Sequence, residues 1–336
     1  LKKLLTNHIK KIVGILVAVA LIAWMIWSID WLLVWKESKN ANFIFLVPTT
    51  LILLGHYILR AWRWRYLLPN GNNYRIKSLF DAIMIGNLAT FILPLRAGEF
   101  IRPLYLKKEY PEQISFPVGF ASVVVERFLD LLAVLVSLTI ILPFIPKVPE
   151  WVMLGAYMLG IIAIGILVFI LWAIFSPKSL LGIVSFFLFA FPENLKKSIL
   201  NLVNEAIKGS AVLKNTKNLT LSLILTLFIW LLNFYSVYVA FFMFNMEYSF
   251  LLATTLSVII ALAVAAPSAP GFVGIIQVAT IATFSLFGQS KEIATSYAII
   301  THILQYIIFC SYGFIILSIK GLKLSQFASS KRSADF

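Results

Sequence analysis

Pro94-Leu95-Arg96-Ala97-Gly98-Glu99-Phe100-Ile101-Arg102-Pro103 interrupts an otherwise oily chain, and its charged residues decide how the chain is read. The residues from Ala82 to Leu95 are nearly all apolar, and another apolar run follows from Pro117. Proline and glycine break a helix here, where freed backbone groups need partners from protein or cavity water. Two arginines and a glutamate beside such a break are costly in lipid unless they serve a site.

Composition places the whole chain in a membrane. Of 336 residues, 61% are hydrophobic and 12% charged, and mean hydropathy is +0.94. Soluble domains carry roughly a quarter charged residues. The net charge of +14 follows from basic residues between apolar runs, as expected for loops on the cytoplasmic side, so nucleic acid is not an expected partner. The lone Cys310 cannot form an internal disulfide.

Lys2, Lys3, Lys10 and Lys11 precede an apolar run at 12–35 that is too long for a signal peptide, so a retained first helix is expected. Further runs of spanning length fall at 43–60, 117–142, 151–175, 219–244 and 293–319, and two more, at 78–95 and 250–288, are broken or bounded by Pro and Gly. If 78–95 crossed fully, Arg96, Arg102, Lys107, Lys108 and the later lysines up to Lys217 would lie outside. A hairpin over 78–106 that enters and leaves on the cytoplasmic side restores the charge rule. The stretch 250–288, folded at Pro267–Gly271, then reads as a hairpin entering from the other side or as two full spans.

The expected fold is therefore an all-α polytopic membrane protein with about six full spans plus two re-entrant hairpins, arranged as inverted repeats around a midplane site. One transmembrane unit covers 1–336, with a first half to about 175, a connector over 176–217, a second half over 218–320 and a basic tail. Residues 192–217 read as an amphipathic helix on the inner leaflet or as an ordinary connector.

Three constellations could carry chemistry. Glu99 and Arg102 are three apart and can pair on one face, with Arg96 a turn earlier; arginine forks match phosphate oxygens. A structural ion pair is the competing reading. Glu126, Arg127 and Asp130 lie two to three turns into a helix that starts near Ser115 and Pro117, where they serve either a cationic headgroup or proton, or a buried network. In the third, a helix beginning near Gly271 would aim its N-terminus into the protein, with Gly274 allowing close approach and Gln277 two turns in. Asn87 is expected to face the site, and Asp81 to cap a helix or meet Lys77. His56, His302 and Gln305 are lesser candidates. The sequence shows no Walker A sequence, metal-ligand cluster or Ser-His-Asp signature, and no cofactor is expected.

Together Asn87, Pro94, Arg96, Gly98, Glu99 and Arg102, then Glu126, Arg127 and Asp130, then Pro270, Gly271 and Gly274, resemble the lysylphosphatidylglycerol synthase transmembrane, or flippase-like, family. The resemblance implies a domain that moves phospholipids such as aminoacylated phosphatidylglycerol between leaflets of a bacterial or archaeal cytoplasmic membrane; the charge rule is what puts both termini on its cytoplasmic side. Bifunctional members add a C-terminal synthase domain, and since this chain ends at Phe336 that activity is expected to be absent. The implied partners are a membrane phospholipid or lipid-linked substrate, with a homo-oligomer or a separate lipid-modifying synthase also allowed. Gln277 stands where the family pattern often has Glu, which argues against proton coupling there.

Overall fold

The computed structural model describes residues 30–93, 96–146, 176–188, 214–244, 249–265, 270–322 and 324–329, with scattered residues between 153 and 204. The described residues form helices and no strand: α1 Trp31–Asn40, α2 Leu46–Leu67, α3 Ile76–Ile92, α4 Gly98–Glu109, α5 Phe116–Ile141, α6 Pro177–Phe187, α7 Thr216–Phe241, α8 Phe250–Ala265, α9 Ile275–Leu286, α10 Lys291–Ile319 and α11 Leu324–Ser329. Four stretches are long and apolar enough to cross a bilayer: Phe43–Leu67, Phe116–Phe144, Thr216–Phe244 and Lys291–Ile319. Each exceeds the roughly 20 residues that a hydrocarbon core requires. Leu51, Ile140, Leu227 and Ile307 are exposed on these helices, as lipid-facing side chains are. The chain is a multi-pass membrane protein.

Of the remaining expected spans, 12–35 lies almost wholly outside the described residues, and 151–175 is described only in part, as helix. The connector at 192–217 also lies mostly outside them. One boundary needs correction. The apolar run ends near residue 60, yet α2 continues to Leu67 and carries Arg60, Arg63 and Arg65 within the helix. Carboxylates on α5 compensate the first two of these arginines, so the helix extends past the point where hydropathy falls.

The first broken element is a hairpin. Leu93, which precedes Pro94, is extended at φ −100°, ψ 146°, because the proline ring disfavours the helical region for the residue before it. Arg96 then takes a left-handed φ of 51°, and α4 runs back along α3. At their far ends the Tyr110 hydroxyl accepts from the Arg75 backbone N–H and donates to Ser78 Oγ, both at 3.2 Å. Near the turn, Gly98 lies against the Gly86 carbonyl and the Thr90 hydroxyl, where a β-carbon would collide with both. Glycine is what lets the two arms touch.

The second broken element, α8 with α9, is also a hairpin. Leu252 and Leu256 on one arm share a cluster with Ile281 and Phe284 on the other, and Leu251 at one far end groups with Leu286 and Phe287 at the other. Arms of 17 and 12 residues in the first hairpin and 16 and 12 in the second reach at most about 25 Å, short of the roughly 30 Å core.

These two hairpins enter from opposite ends of the bundle. The open end of the first lies with Lys320, whose ammonium meets Glu109 at 2.6 Å. At the other end the Asn42 backbone N–H donates to the Met243 carbonyl at 2.8 Å, beside the open end of the second. Arg65, Arg75, Lys77, Lys107, Lys108 and Lys320 gather at the first end. At the opposite end Lys36, Lys39 and Lys291 are mixed with Asp30, Glu37 and Glu292.

The element order repeats: long helix α2, hairpin, long helix α5; then long helix α7, hairpin, long helix α10. Helices α2 and α7 run antiparallel, joined by His56 Nδ1 to the Ile229 carbonyl at 3.0 Å and Arg63 to Thr226 Oγ1 at 2.9 Å. Just as α3 packs on α10, α8 packs on α5. Exchange of the halves by an in-plane two-fold gives this reciprocal packing, the arrangement of an inverted repeat. Where the tips meet, the Phe91 and Phe272 rings lie 6.4 Å apart and the Arg96 guanidinium sits 5.9 Å from the Phe272 ring.

Candidate functional site: an arginine-lined cavity at the hairpin tips

The site is built over a buried ion network. Glu126, ten residues into α5, is fully buried, and Arg102 from α4 grips it with both ends of its fork, at 2.9 and 2.7 Å. Arg60 Nη2 donates to the same carboxylate at 2.6 Å and to Asp130 at 3.1 Å. Arg63 Nη1, on the next face of α2, donates to Asp130 at 2.7 Å. Trp64 covers the Arg102 guanidinium at 3.7 Å from its ring centre, and its indole N–H donates to Ser122 Oγ at 2.7 Å. Charges this far from water persist only when paired and hydrogen-bonded, and loss of one partner leaves the other stranded. Here the network ties α2, α4 and α5 together.

Above this network lies a cavity of about 210 Å³ lined by Tyr57, Arg60, Asn87, Arg96, Glu99, Arg102, Arg127 and Phe272, among others. Glu99 Oε1 lies 3.4 Å from Arg96 Nη2 and 3.4 Å from Arg127 Nε. The Arg127 Nε approach lacks hydrogen-bond geometry, and Arg96 Nε and Asn87 Nδ2 are likewise buried without a hydrogen-bond partner. Arg127 also sits 3.7 Å from Asp130, the i,i+3 contact that the spacing predicts. Five arginines thus face three carboxylates, and the surplus positive charge lies toward the cavity. Such a wall suits an anion with several oxygens, because each guanidinium presents parallel donors.

The expected site residues divide accordingly. Asn87, Arg96, Glu99, Arg102 and Arg127 all line the cavity. Arg102, however, pairs with Glu126 and not with Glu99: its position one turn along α4 turns its fork toward α5. Glu126 and Asp130 do not face an open headgroup space, since arginines from two other helices occupy them. The geometry of that pair is that of a buried network. Asp81 meets Lys77 at 2.9 Å and accepts from the Tyr312 hydroxyl at 2.6 Å, away from the cavity.

The second break differs from its sequence reading. The helix starts at Ile275, four residues beyond Gly271, because Gly271 and Gly274 adopt left-handed φ of 65° and 86°. Gly271 packs on Tyr306 in a space that a β-carbon would fill. Gln277 folds back: its Oε1 accepts the Gly274 N–H at 2.8 Å and its Nε2 meets His302 Nδ1 at 3.1 Å. His302 Nε2 in turn donates to the Gly271 carbonyl at 2.7 Å. Gly271, Gly274, Gln277 and His302 therefore brace the tip, which presents Phe272 to the cavity. Sequence reasoning missed Arg60, Arg63, Tyr57 and Phe272. A usable signal was present for two of them: Tyr57, Arg60 and Trp64 share a helical face at i, i+3, i+7.

The profile of the lysylphosphatidylglycerol synthase TM region matches residues 11–313. The chain is also similar to the glycosyltransferase AglD of Haloferax volcanii, 31% identical over 132 residues, which cover 39% of this chain and 21% of that protein. The match thus spans about a fifth of the curated relative's length. No solved structure matches. With nine-tenths of its length inside the family profile, the chain belongs to the lysylphosphatidylglycerol synthase transmembrane-region family.

Proposed function

We propose that the chain carries the phosphate-bearing headgroup of a membrane lipid from one leaflet to the other. The observation behind this reading is the cavity where two opposed hairpin tips meet, walled by Arg60, Arg96, Arg102 and Arg127. Hairpins that open from opposite ends give such a cavity two routes to water, the logic of alternating access. Acyl chains stay in the bilayer while Arg96 and Arg127 hold the phosphate. The basic end of the bundle faces the cytoplasm of a bacterial or archaeal cell, following the charge rule. Labelling of a cysteine at position 107 from outside sealed cells would overturn that orientation.

Transport is tested in proteoliposomes containing radiolabelled phosphatidylglycerol, with periodate added outside to oxidise the accessible glycerol headgroup. Full oxidation is expected with the wild-type chain, and half oxidation with Arg96→Ala/Arg127→Ala. Equal rates for the two would count against the reading.

A second reading, membrane-embedded catalysis on a lipid-linked phosphate with Glu99 as general base, is favoured by the glycosyltransferase name of the Haloferax relative. Product formed by detergent-solubilised protein separates the two, since transport needs a sealed bilayer.

A further inference from the structure

We infer that His302 is a proton-sensitive positioning residue: neutral, it holds the Gly271–Gly274 turn with Phe272 against the cavity, and protonated, it lets that turn go. This goes beyond the transport reading above and rests on it only for what the released turn does.

The first support is that the hydrogen bonds here admit one proton arrangement. The Gly274 backbone N–H can only donate, so the Gln277 atom that meets it at 2.8 Å is the acceptor Oε1. The Gln277 amide nitrogen therefore points to His302 Nδ1 at 3.1 Å, and Nδ1 is the bare, accepting nitrogen. Across the ring, Nε2 faces the Gly271 carbonyl at 2.7 Å. A carbonyl only accepts, so Nε2 carries the proton. His302 is thus neutral, with both ring nitrogens engaged. A second proton, on Nδ1, would set two donors against each other. Turning the Gln277 amide over does not repair this, because its nitrogen would then face the Gly274 N–H.

Backbone strain supplies the second support. Between the two glycines Phe272 also takes a left-handed φ, of 61°. That conformation is unfavourable for a residue with a β-carbon and persists only where the surroundings impose it. The hydrogen bonds that hold the turn, at Gly271 and at Gly274, both belong to the His302–Gln277 chain. Breaking the chain leaves a strained turn unheld. Its relaxation takes the Phe272 ring away from Phe91 and Arg96, which lie 6.4 and 5.9 Å from it. Phe272 is part of the cavity wall, so the cavity opens on the side from which the second hairpin enters.

The neighbours of His302 favour this response. Tyr306 on its own helix and Phe91 on α3 place their rings 5.2 and 5.9 Å away. Gln277 faces it from α9, and Arg96 stands across the Phe272 ring. Among the described residues no carboxylate acts on it. An imidazolium formed here has no counter-ion while the turn stays closed, and gains water when it opens.

The test uses the full chain in liposomes, labelled with nitrogen-15 histidine and compared at about pH 8 and about pH 5, which bracket the titration of an imidazole. Solid-state NMR should show the His302 ring, assigned by its loss in His302→Gln, with one proton, on Nε2, at the upper pH and as imidazolium at the lower. Hydrogen exchange over residues 271–277, corrected for its intrinsic pH dependence, should quicken about tenfold on acidification, the worth of one buried hydrogen bond. In His302→Gln the corrected rate should stay constant. Gln277→Glu should respond with the opposite sign, because a carboxylate accepts from the Gly274 N–H and from a protonated Nδ1 together. A His302 ring that stays neutral at the lower pH, an exchange step that survives in His302→Gln, or a Gln277→Glu response of wild-type sign would each overturn the inference. In the periodate assay, wild-type headgroup oxidation, taken relative to protein-free vesicles at the same pH, should speed up on acidification, and that of Gln277→Glu should slow. One transport rate at both pH values would also overturn it, since Phe272 would then not gate the cavity. No transport at either pH, with the exchange step intact, sinks the transport reading and leaves the proton switch standing.

Discussion

Glu126 and Glu99 are both carboxylates among arginines, on packed neighbouring helices, yet their surroundings differ in every respect that sets their roles. Glu126 is fully buried and receives a bidentate fork from Arg102, whose guanidinium Trp64 covers. Glu99 is part exposed, touches two arginines at 3.4 Å, and faces a cavity. Desolvation makes the difference. A buried charge must be matched tightly or the fold fails, whereas a charge at a wet wall can exchange partners at little cost. The same residue types therefore build scaffold in one place and a ligand site in the other.

The strongest way to break this contrast is Glu126→Ala. It strands Arg102 and Arg60 and should cost about 3–5 kcal/mol, seen as loss of the monodisperse peak on size-exclusion chromatography in detergent. A wild-type melting temperature for this variant would remove the scaffold role. Next, Gly98→Ala should cost about 1–3 kcal/mol, because its methyl group meets the Gly86 carbonyl and forces the hairpin arms apart. Both transport and thermal stability should fall together, which tells a scaffold lesion from a site lesion. Arg96→Ala should do the opposite, changing stability by less than about 1 kcal/mol while the rate at which inner-leaflet headgroups become exposed in vesicles drops at least tenfold. The smallest effect is expected for Lys320→Ala. Its contact with Glu109 lies on the rim, at 37% and 24% side-chain exposure, so a melting shift worth about 0.5 kcal/mol or less, with normal transport, is the expected result.

Legibility in the sequence followed the range of the forces involved. The break at Pro94 to Gly98 is readable because proline acts on the residue before it and glycine on its own backbone. The hairpin direction follows from the run of basic residues after it. By contrast, Glu99 and Arg102 look like a pair at i,i+3, but Arg102 bonds Glu126 instead, 24 residues away. Arg60 and Arg63 read as residues of a basic loop because hydropathy cannot see that α5 brings carboxylates to them. Gln277 reads as a site residue because its position in a helix is visible while its hydrogen bond back to Gly274 is not.

The sequence by itself determined the membrane class, the helical content, the two breaks and the hairpin at the first of them. Each of these rests on hydropathy, local backbone sterics or loop charge, which act over a few residues or across the bilayer as a whole. Only the tertiary structure decided which arginines are locked and which are available. That choice depends on partners 24 to 70 residues apart, as in Arg102–Glu126 and Arg60–Asp130, and on how much water each pair retains. Ion-pair strength is set by geometry and desolvation, and neither exists until the helices pack.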